Sequence, residues 1–324
     1  MSQAKISGFA ANAVICALLL TAGCAQTATL ALKFTPEDLT TYKVITENER
    51  SVIWGETLAD KPEGFIGGHS GNRFEMTFTR QIQKVDDQGN AVAAITIKGL
   101  KYLAKVKDNI VLDFDSSREK DRNRPLYKLI GQSYTIEITP WGQVTKVIDV
   151  SGARAAVEGS ALDNKRAARL LSDEVIKDQH SIPALPAAEK NQLRRDDNWS
   201  NIKTFSFDWM GSKTYEKIYT LKKIKDIDGR RIAIAEMNAI PSSEKAKELH
   251  KEQTTGFFSQ MFDNPIETYT GQLKFNLTAG KIEQYFEEFR SEWIAVDIMS
   301  PEENKEPDTL RMGATRLYRM ERID

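Results

Sequence analysis

Asp113 and Asp115, with Ser116 beside them, have the spacing best suited to chemistry. On a strand, residues i and i+2 point to one face, so two carboxylates there could share a cation or a proton, as in a hydrolase. The same pair also suits a plainer role, marking where a strand leaves the core, with Arg118, Lys120 and Arg122 near enough to balance it. The histidines His69, His180 and His250 fall in separate regions, without metal-site spacing or an HExxH helix, and are expected on the surface or in loops. Asp226-Ile-Asp-Gly229 begins like a calcium loop, but Met237 stands where the closing bidentate Glu belongs, which leaves a turn. The stretch Gly67-Gly68-His69-Ser70-Gly71-Asn72 lacks the Lys-Ser/Thr and the helix of a phosphate cradle, and reads as a flexible hairpin loop. No serine elbow is recognisable. Neither a metal nor a cofactor is expected.

The two cysteines, Cys16 and Cys24, both lie in the first 24 residues of 324. The body of the protein is therefore thiol-free, which excludes disulfides, zinc–thiolate sites, iron–sulfur clusters and a cysteine nucleophile there. A polar start carrying Lys5 precedes an apolar run over residues 9–20. At ~1.5 Å per residue that run falls well short of a ~30 Å hydrocarbon core, so it reads as a secretory signal rather than a membrane span. Leu20-Thr21-Ala22-Gly23-Cys24 follows, and is similar to the lipobox of bacterial lipoproteins, with Thr21 standing where Leu is commonest. That resemblance implies recognition of Leu20, Thr21, Ala22 and Gly23 by the signal peptidase, cleavage before Cys24, and a diacylglyceryl group on its thiol. The expected partner is a membrane, held through acyl chains on Cys24; two or three chains exceed what stable anchoring needs. Ala25 stands where Asp would signal inner-membrane retention, so the expected place is the periplasmic side of the outer membrane.

Lys and Arg number 45 against 46 Asp and Glu, and no basic stripe occurs, so nucleic acid is not an expected partner. The nearest candidate, Lys222-Lys223-Ile224-Lys225, suits a solvated strand edge.

The elements that must position these residues are mostly strands. Period-two alternation runs through residues 42–54, 73–85, 91–97, 110–114, 134–139 and 144–150. The Asp86–Asn90 turn makes a hairpin of the second and third. Residues 151–177, rich in Ala, Leu, Arg and Glu, predict short helices with Asp163 and Ser172-Asp173 as N-caps, ended by Ile182-Pro-Ala-Leu-Pro186. The strand pattern then restarts as an apparent copy. Residues 199–209, the hairpin 215–237 and the hairpin 269–285 repeat the earlier order, with insertions at 99–131 and 241–266, and a helix over 243–253. Residues 281–296 fit a helical stripe through Ile282, Phe286, Phe289 and Trp293, but the repeat predicts a strand, which we prefer; residues 310–323 add a closing strand. The predicted fold is mainly β, a β-rich α+β class. It consists of duplicated, curved antiparallel sheets, half-barrel or sandwich-like, with a few short helices. The expected divisions are a signal peptide (1–23), a lipidated tether (24–33), a first repeat (34–150), a helical linker (151–196) and a second repeat (197–324). The tryptophans Trp54, Trp141, Trp199, Trp209 and Trp293 are expected mostly in the core, with a concave apolar face as a possible ligand surface.

Several runs carry a resemblance. Asp113-Phe-Asp-Ser-Ser117, Pro125-Leu126, Leu129-Ile130-Gly131, Tyr134 to Pro140 and Gly142-Gln-Val144 are similar to segments of a family of bacterial envelope lipoproteins of unknown function. So are Leu170 to Ile176, Leu185-Pro186 and Asp196-Asp-Asn-Trp199, although Asp197-Asn198 replaces the usual Gly-Asp before the tryptophan. The resemblance spans roughly 34–296 and implies no activity. A looser likeness, at the level of fold alone, is to the periplasmic lipoprotein carriers that wrap a curved sheet around acyl chains. The expected function is non-enzymatic: an envelope lipoprotein binding an apolar ligand, a lipid, or an envelope protein. The alternatives are an assembly scaffold using exposed strand edges, and a hydrolase using Asp113 and Asp115. Replacing Cys24 with Ser should move the protein from the membrane to the soluble fraction on cell fractionation; an unchanged distribution would rule out the acyl anchor.

Overall fold

The computed structural model describes residues 27–55, 67–190, 192–207, 211–241, 263–296 and 309–324. Strand accounts for 62% and helix for 14%, so the chain is mainly β. The elements run β1 (Ala28–Thr29), β2 (Leu39–Trp54), β3 (Gly68–Val85), β4 (Ala91–Val106), β5 (Asn109–Asp115), β6 (Ser133–Ile138) and β7 (Val144–Asp149). Helices α1 (Ser151–Ala156), α2 (Leu162–Leu170) and α3 (Asp173–His180) follow. Then come β8 (Gln192–Leu193), β9 (Asn198–Ser206), β10 (Ser212–Ile227), β11 (Arg230–Pro241), β12 (Asp263–Asn276), β13 (Lys281–Val296) and β14 (Thr309–Arg322).

Twelve strands form one antiparallel sheet in the order β7-β6-β4-β3-β2-β14-β13-β12-β11-β10-β9, with β5 paired to β4 alone. Two meanders of the same neighbour order, β2-β3-β4-β6-β7 and β9-β10-β11-β12-β13, meet through β14, which pairs with both β13 and β2. The strands are longer than alternation alone predicts. β4 runs on into the segment expected as an insertion, and Gly68 to Asn72, expected as a flexible loop, pairs in β3 against β2. Gly71 belongs there for a steric reason: a Cβ on it would run into the Asn48 carbonyl of the neighbouring strand. The β10–β11 hairpin closes on Asp228 and Gly229 with φ of 50° and 74°, the left-handed pair that a two-residue turn requires. Lys223 and Lys225 lie exposed beyond the last pairing of β10 with β9, on a free edge. β13 is a strand. From Tyr285 to Ala295 alternate residues face the interior, all buried except the partly covered Glu287, and a bulge near Glu283 moves Ile282 onto the same face, which is what made the run resemble a helix.

The sheet curls but does not close into a barrel. Besides β5, which pairs with β4 alone, its edge strands are β7 and β9, and both meet one stretch of chain. The Val144 amide donates to Ser181 Oγ (3.1 Å) and the Ile182 amide to the Gly142 carbonyl (2.7 Å), on the β7 side. Two residues on, the Asn201 side chain bonds the Pro183 carbonyl, and Trp199 Nε1 donates to the Ala184 carbonyl (3.0 Å), on the β9 side. Pro183 and Pro186 cannot donate to a ladder, so the stretch stands between the edges without becoming a strand. The exposed edges expected of a scaffold are therefore engaged at these points.

Residues 25–33, expected as a tether, join the fold from Ala28. Ala28, Leu30 and Leu32 are buried, β1 pairs with β8, and the Leu32 and Lys33 amides bond the carbonyls of Pro140 and Gly280 (2.7 and 3.0 Å). This segment crosses the hairpin ends and covers one end of the curled sheet.

Helix α3 starts at Ser172, whose hydroxyl accepts from the Val175 amide (3.3 Å). Asp163 is not an N-cap. It lies one residue inside α2 and accepts from Arg124 and Arg166 instead (2.8 and 3.0 Å). The sequence reading of His180 as a surface or loop residue is likewise corrected: its ring is 3% exposed at the end of α3. It meets Phe78 edge-on at 4.6 Å and hydrogen-bonds the Tyr134 hydroxyl at 2.6 Å, so α3 is pinned to β3 and β6. On its other side the Tyr318 hydroxyl of β14 donates to the Gln179 carbonyl (3.0 Å).

Burial, with the Arg80 charge nearby, pulls the His180 pKa down to about 3. The unfolded chain therefore takes up that proton first, near pH 6.5, and the folded one only near pH 3. Stability tied to this ring is complete above pH ~6.5 and is lost progressively as pH falls towards 3. Urea unfolding should show a loss of about 2 kcal/mol between pH 7 and pH 5. A His180→Gln protein should lack that slope; an equal slope in both would refute the assignment.

Candidate functional site

The sequence-level candidates for catalysis do not form a reactive pair. Asp113 receives a bidentate Arg118 (2.8 and 2.9 Å), while Asp115 caps a turn through the Ser117 amide and hydroxyl (2.9 and 2.7 Å). Arg118 also donates to the buried Asp121 (2.7 Å), and Arg124 carries the chain of charges on to Asp163. Arg118 and its hydrogen bond hold the Asp113 carboxyl below its usual range. At Asp115, burial acts upward, but the Ser117 hydrogen bonds together with the Lys101 and Arg118 charges outweigh it and lower the group. A shared proton would require one of the two to be raised. The cluster stitches residues 116–131 to α2. His69 is exposed against Asp108 (3.0 Å), and among the described residues no three His, Cys, Asp or Glu side chains gather as a metal site. His250, Trp209, the helix expected over 243–253, and the lipobox residues Leu20, Thr21, Ala22, Gly23 and Cys24 lie outside the described residues. No helix among those described is long and apolar enough to cross a membrane.

The cavity that the fold builds lies elsewhere, between α3 and the concave face of the second meander. It encloses about 500 Å³ and is half open to solvent. Val175, Asp178 and Gln179 of α3 line one side, and side chains of β2, β9, β10, β12, β13 and β14 line the other. Curling brings distant strands together across this space: Phe205 of β9 packs at 5.0 Å from Phe289 of β13. Tyr215, Tyr269 and Phe207 complete an aromatic wall.

Within this wall sits an ion pair. Lys217 of β10, 1% exposed, donates to Glu287 of β13 at 2.9 Å, although two strands lie between them in the sheet. The Tyr285 hydroxyl donates to the same carboxylate oxygen (2.6 Å), and Tyr219 lies 3.2 Å from Tyr285. Gly271 sits directly across from Glu287, where a Cβ would run into the Phe286 carbonyl and crowd Met237. Burial alone would push Lys217 down and Glu287 up, but each is the other's nearest charge. That attraction, with the tyrosine hydrogen bonds, keeps the ammonium above and the carboxylate below its ordinary value. The Tyr269 hydroxyl, buried nearby, makes no hydrogen bond of standard geometry, and burial followed by the Glu287 charge keeps it protonated. Arg316 of β14 reaches across to β9, donating to the Ser206 carbonyl (2.7 Å) and lying over the Phe205 and Phe207 rings at 4.6 and 5.5 Å.

Sequence reading did not find Lys217, Glu287 or Arg316. The signal was present: each interrupts an apolar alternation, as in Tyr215-Lys217-Tyr219-Leu221 and Ala314-Arg316-Tyr318-Met320. A charge on the buried face of a strand needs a partner, and that partner is far off in sequence.

No family model matches the chain, and no curated protein is recognisably similar to it. Among solved structures, one described as "Lipid-protein interactions in lipovitellin" aligns with 90% of this chain at 10% identity and a TM-score of 0.40. The alignment covers 26% of that structure, so this chain matches about a quarter of its length. A likeness that distant says nothing about ligand or activity.

Replacing Lys217 with Met should destabilise the protein by about 3–5 kcal/mol, because Glu287 is left charged and unpaired in the wall. Adding Glu287→Gln to that variant should restore most of the loss in urea unfolding; additive losses would show that the two do not act as a pair.

Proposed function

We propose that the protein is a lipid-anchored, non-enzymatic component of the bacterial envelope that holds a ligand with an apolar tail. The acyl anchor is on Cys24, and the body lies on the periplasmic side of the outer membrane. The observation that supports the ligand reading is the half-open cavity of about 500 Å³ with Val175, Phe205, Tyr269 and Phe289 on its walls. Its size falls within the ~300–1,000 Å³ usual for small-molecule sites, and its aromatic lining suits a hydrocarbon chain. The hydrolase reading has no such support, since both carboxylates are committed to Arg118 and to the Ser117 turn. A scaffold pairing through the β7 or β9 edge would have to compete with the contacts of residues 181–184.

The test uses the full-length chain with Cys24→Ser, which cannot take an acyl chain of its own. Purified from cells and extracted with organic solvent, it should release a lipid in near-stoichiometric amount by mass spectrometry. A Val175→Trp change in the same protein, filling the cavity from α3, should release little while the fold survives. Lipid-free protein, or equal lipid in both variants, would sink the proposal.

A further inference from the structure

The cavity wall is not uniformly apolar, and its charges are unevenly satisfied. Glu287 is committed to Lys217 and Tyr285, and Glu267 to Lys213. Arg316 has no carboxylate partner among the described residues. It uses one of five N–H donors on the Ser206 carbonyl, and that bond and the Phe205 and Phe207 rings beside it hold the guanidinium at the cavity. Burial, and the like charge of Arg50 nearby, make it less basic than a free arginine. Lys203 of β9 lines the same cavity, also with no ion pair among the described residues. The opposing charge is Asp178 on α3, exposed at the rim and so hydrated. A half-buried arginine set against two aromatic rings, with no carboxylate partner among the described residues, is costly to the protein alone, and suits an anion that can accept two of its hydrogen bonds.

We propose that the cavity takes an anionic amphiphile, its carboxylate or phosphate head held by Arg316 with Lys203, and its apolar tail laid along Phe205, Tyr269 and Phe289. This rests on the ligand-binding reading above and names the ligand class. Asp178 opposes the head and limits its affinity.

The test is calorimetric titration of the full-length Cys24→Ser protein, after organic extraction, with dodecanoate, dodecyl phosphate and dodecanol. One or both anions should bind ~10- to 100-fold more tightly than the alcohol, the range expected of charge-assisted hydrogen bonds. The tighter of the two identifies the head as carboxylate or phosphate. Arg316→Gln should collapse that ratio towards one, Arg316→Lys and Lys203→Gln should lower it in part, and Asp178→Asn should raise it. If circular dichroism shows Arg316→Gln unfolded, the Lys and Lys203 variants decide. Equal binding of all three probes to the parent protein would overturn this inference and leave the cavity reading intact; binding of none would remove that reading and this one together.

Discussion

A sheet of twelve strands that does not close leaves edge strands unpaired, and the way this one brings two of them, β7 and β9, against the same stretch of chain organises the rest of the molecule. Unpaired amides and carbonyls along a strand invite pairing with another chain. Here the sheet curls until β7 and β9 face the same few residues, and Ser181 to Ala184 bond to both. The prolines in that stretch keep it from becoming one more strand with an edge of its own. Because α3 leads directly into it, the helix is drawn into the concavity. His180 then packs against the first meander and Gln179 bonds to Tyr318 of β14.

The hollow beside α3 follows from that placement. One short helix cannot fill the curve of six strands. Two kinds of charge border it. Lys217 and Glu287 neutralise each other, and such a buried pair gains little stability over apolar residues of like volume. Arg316 has no such internal partner among the described residues, and it is oriented by rings rather than by a carboxylate.

Much of the fold was legible locally. Alternation located most strands, the Asp-Gly turn located the β10–β11 hairpin, and Ser172 marked the start of α3, because each of these signals lies within a few residues. The length of β3 was underestimated because Gly68 to Asn72 looks like a loop until Gly71 is seen beside the Asn48 carbonyl. The burial of His180 and the Lys217–Glu287 pair were not legible. Their partners stand 46 and 70 residues away, and no local pattern reports such a meeting. The candidate site was thus visible only as charges misplaced on apolar strand faces.

The pairing of β14 with β2 has a consequence for the order in which the chain can fold. Arg322 lies opposite Tyr42, so the first long strand waits for a strand far along the sequence before its second edge is covered. Contacts this remote in sequence are slow to form, because the loop-closure entropy must be overcome before any pairing is gained. Throughout synthesis the amino-terminal meander carries an open flank of sixteen residues, β2, with Tyr42 and Val44 destined for the interior. During that interval the chain is exposed to adhesion with its neighbours, and a holdase that shields extended segments would be its natural companion.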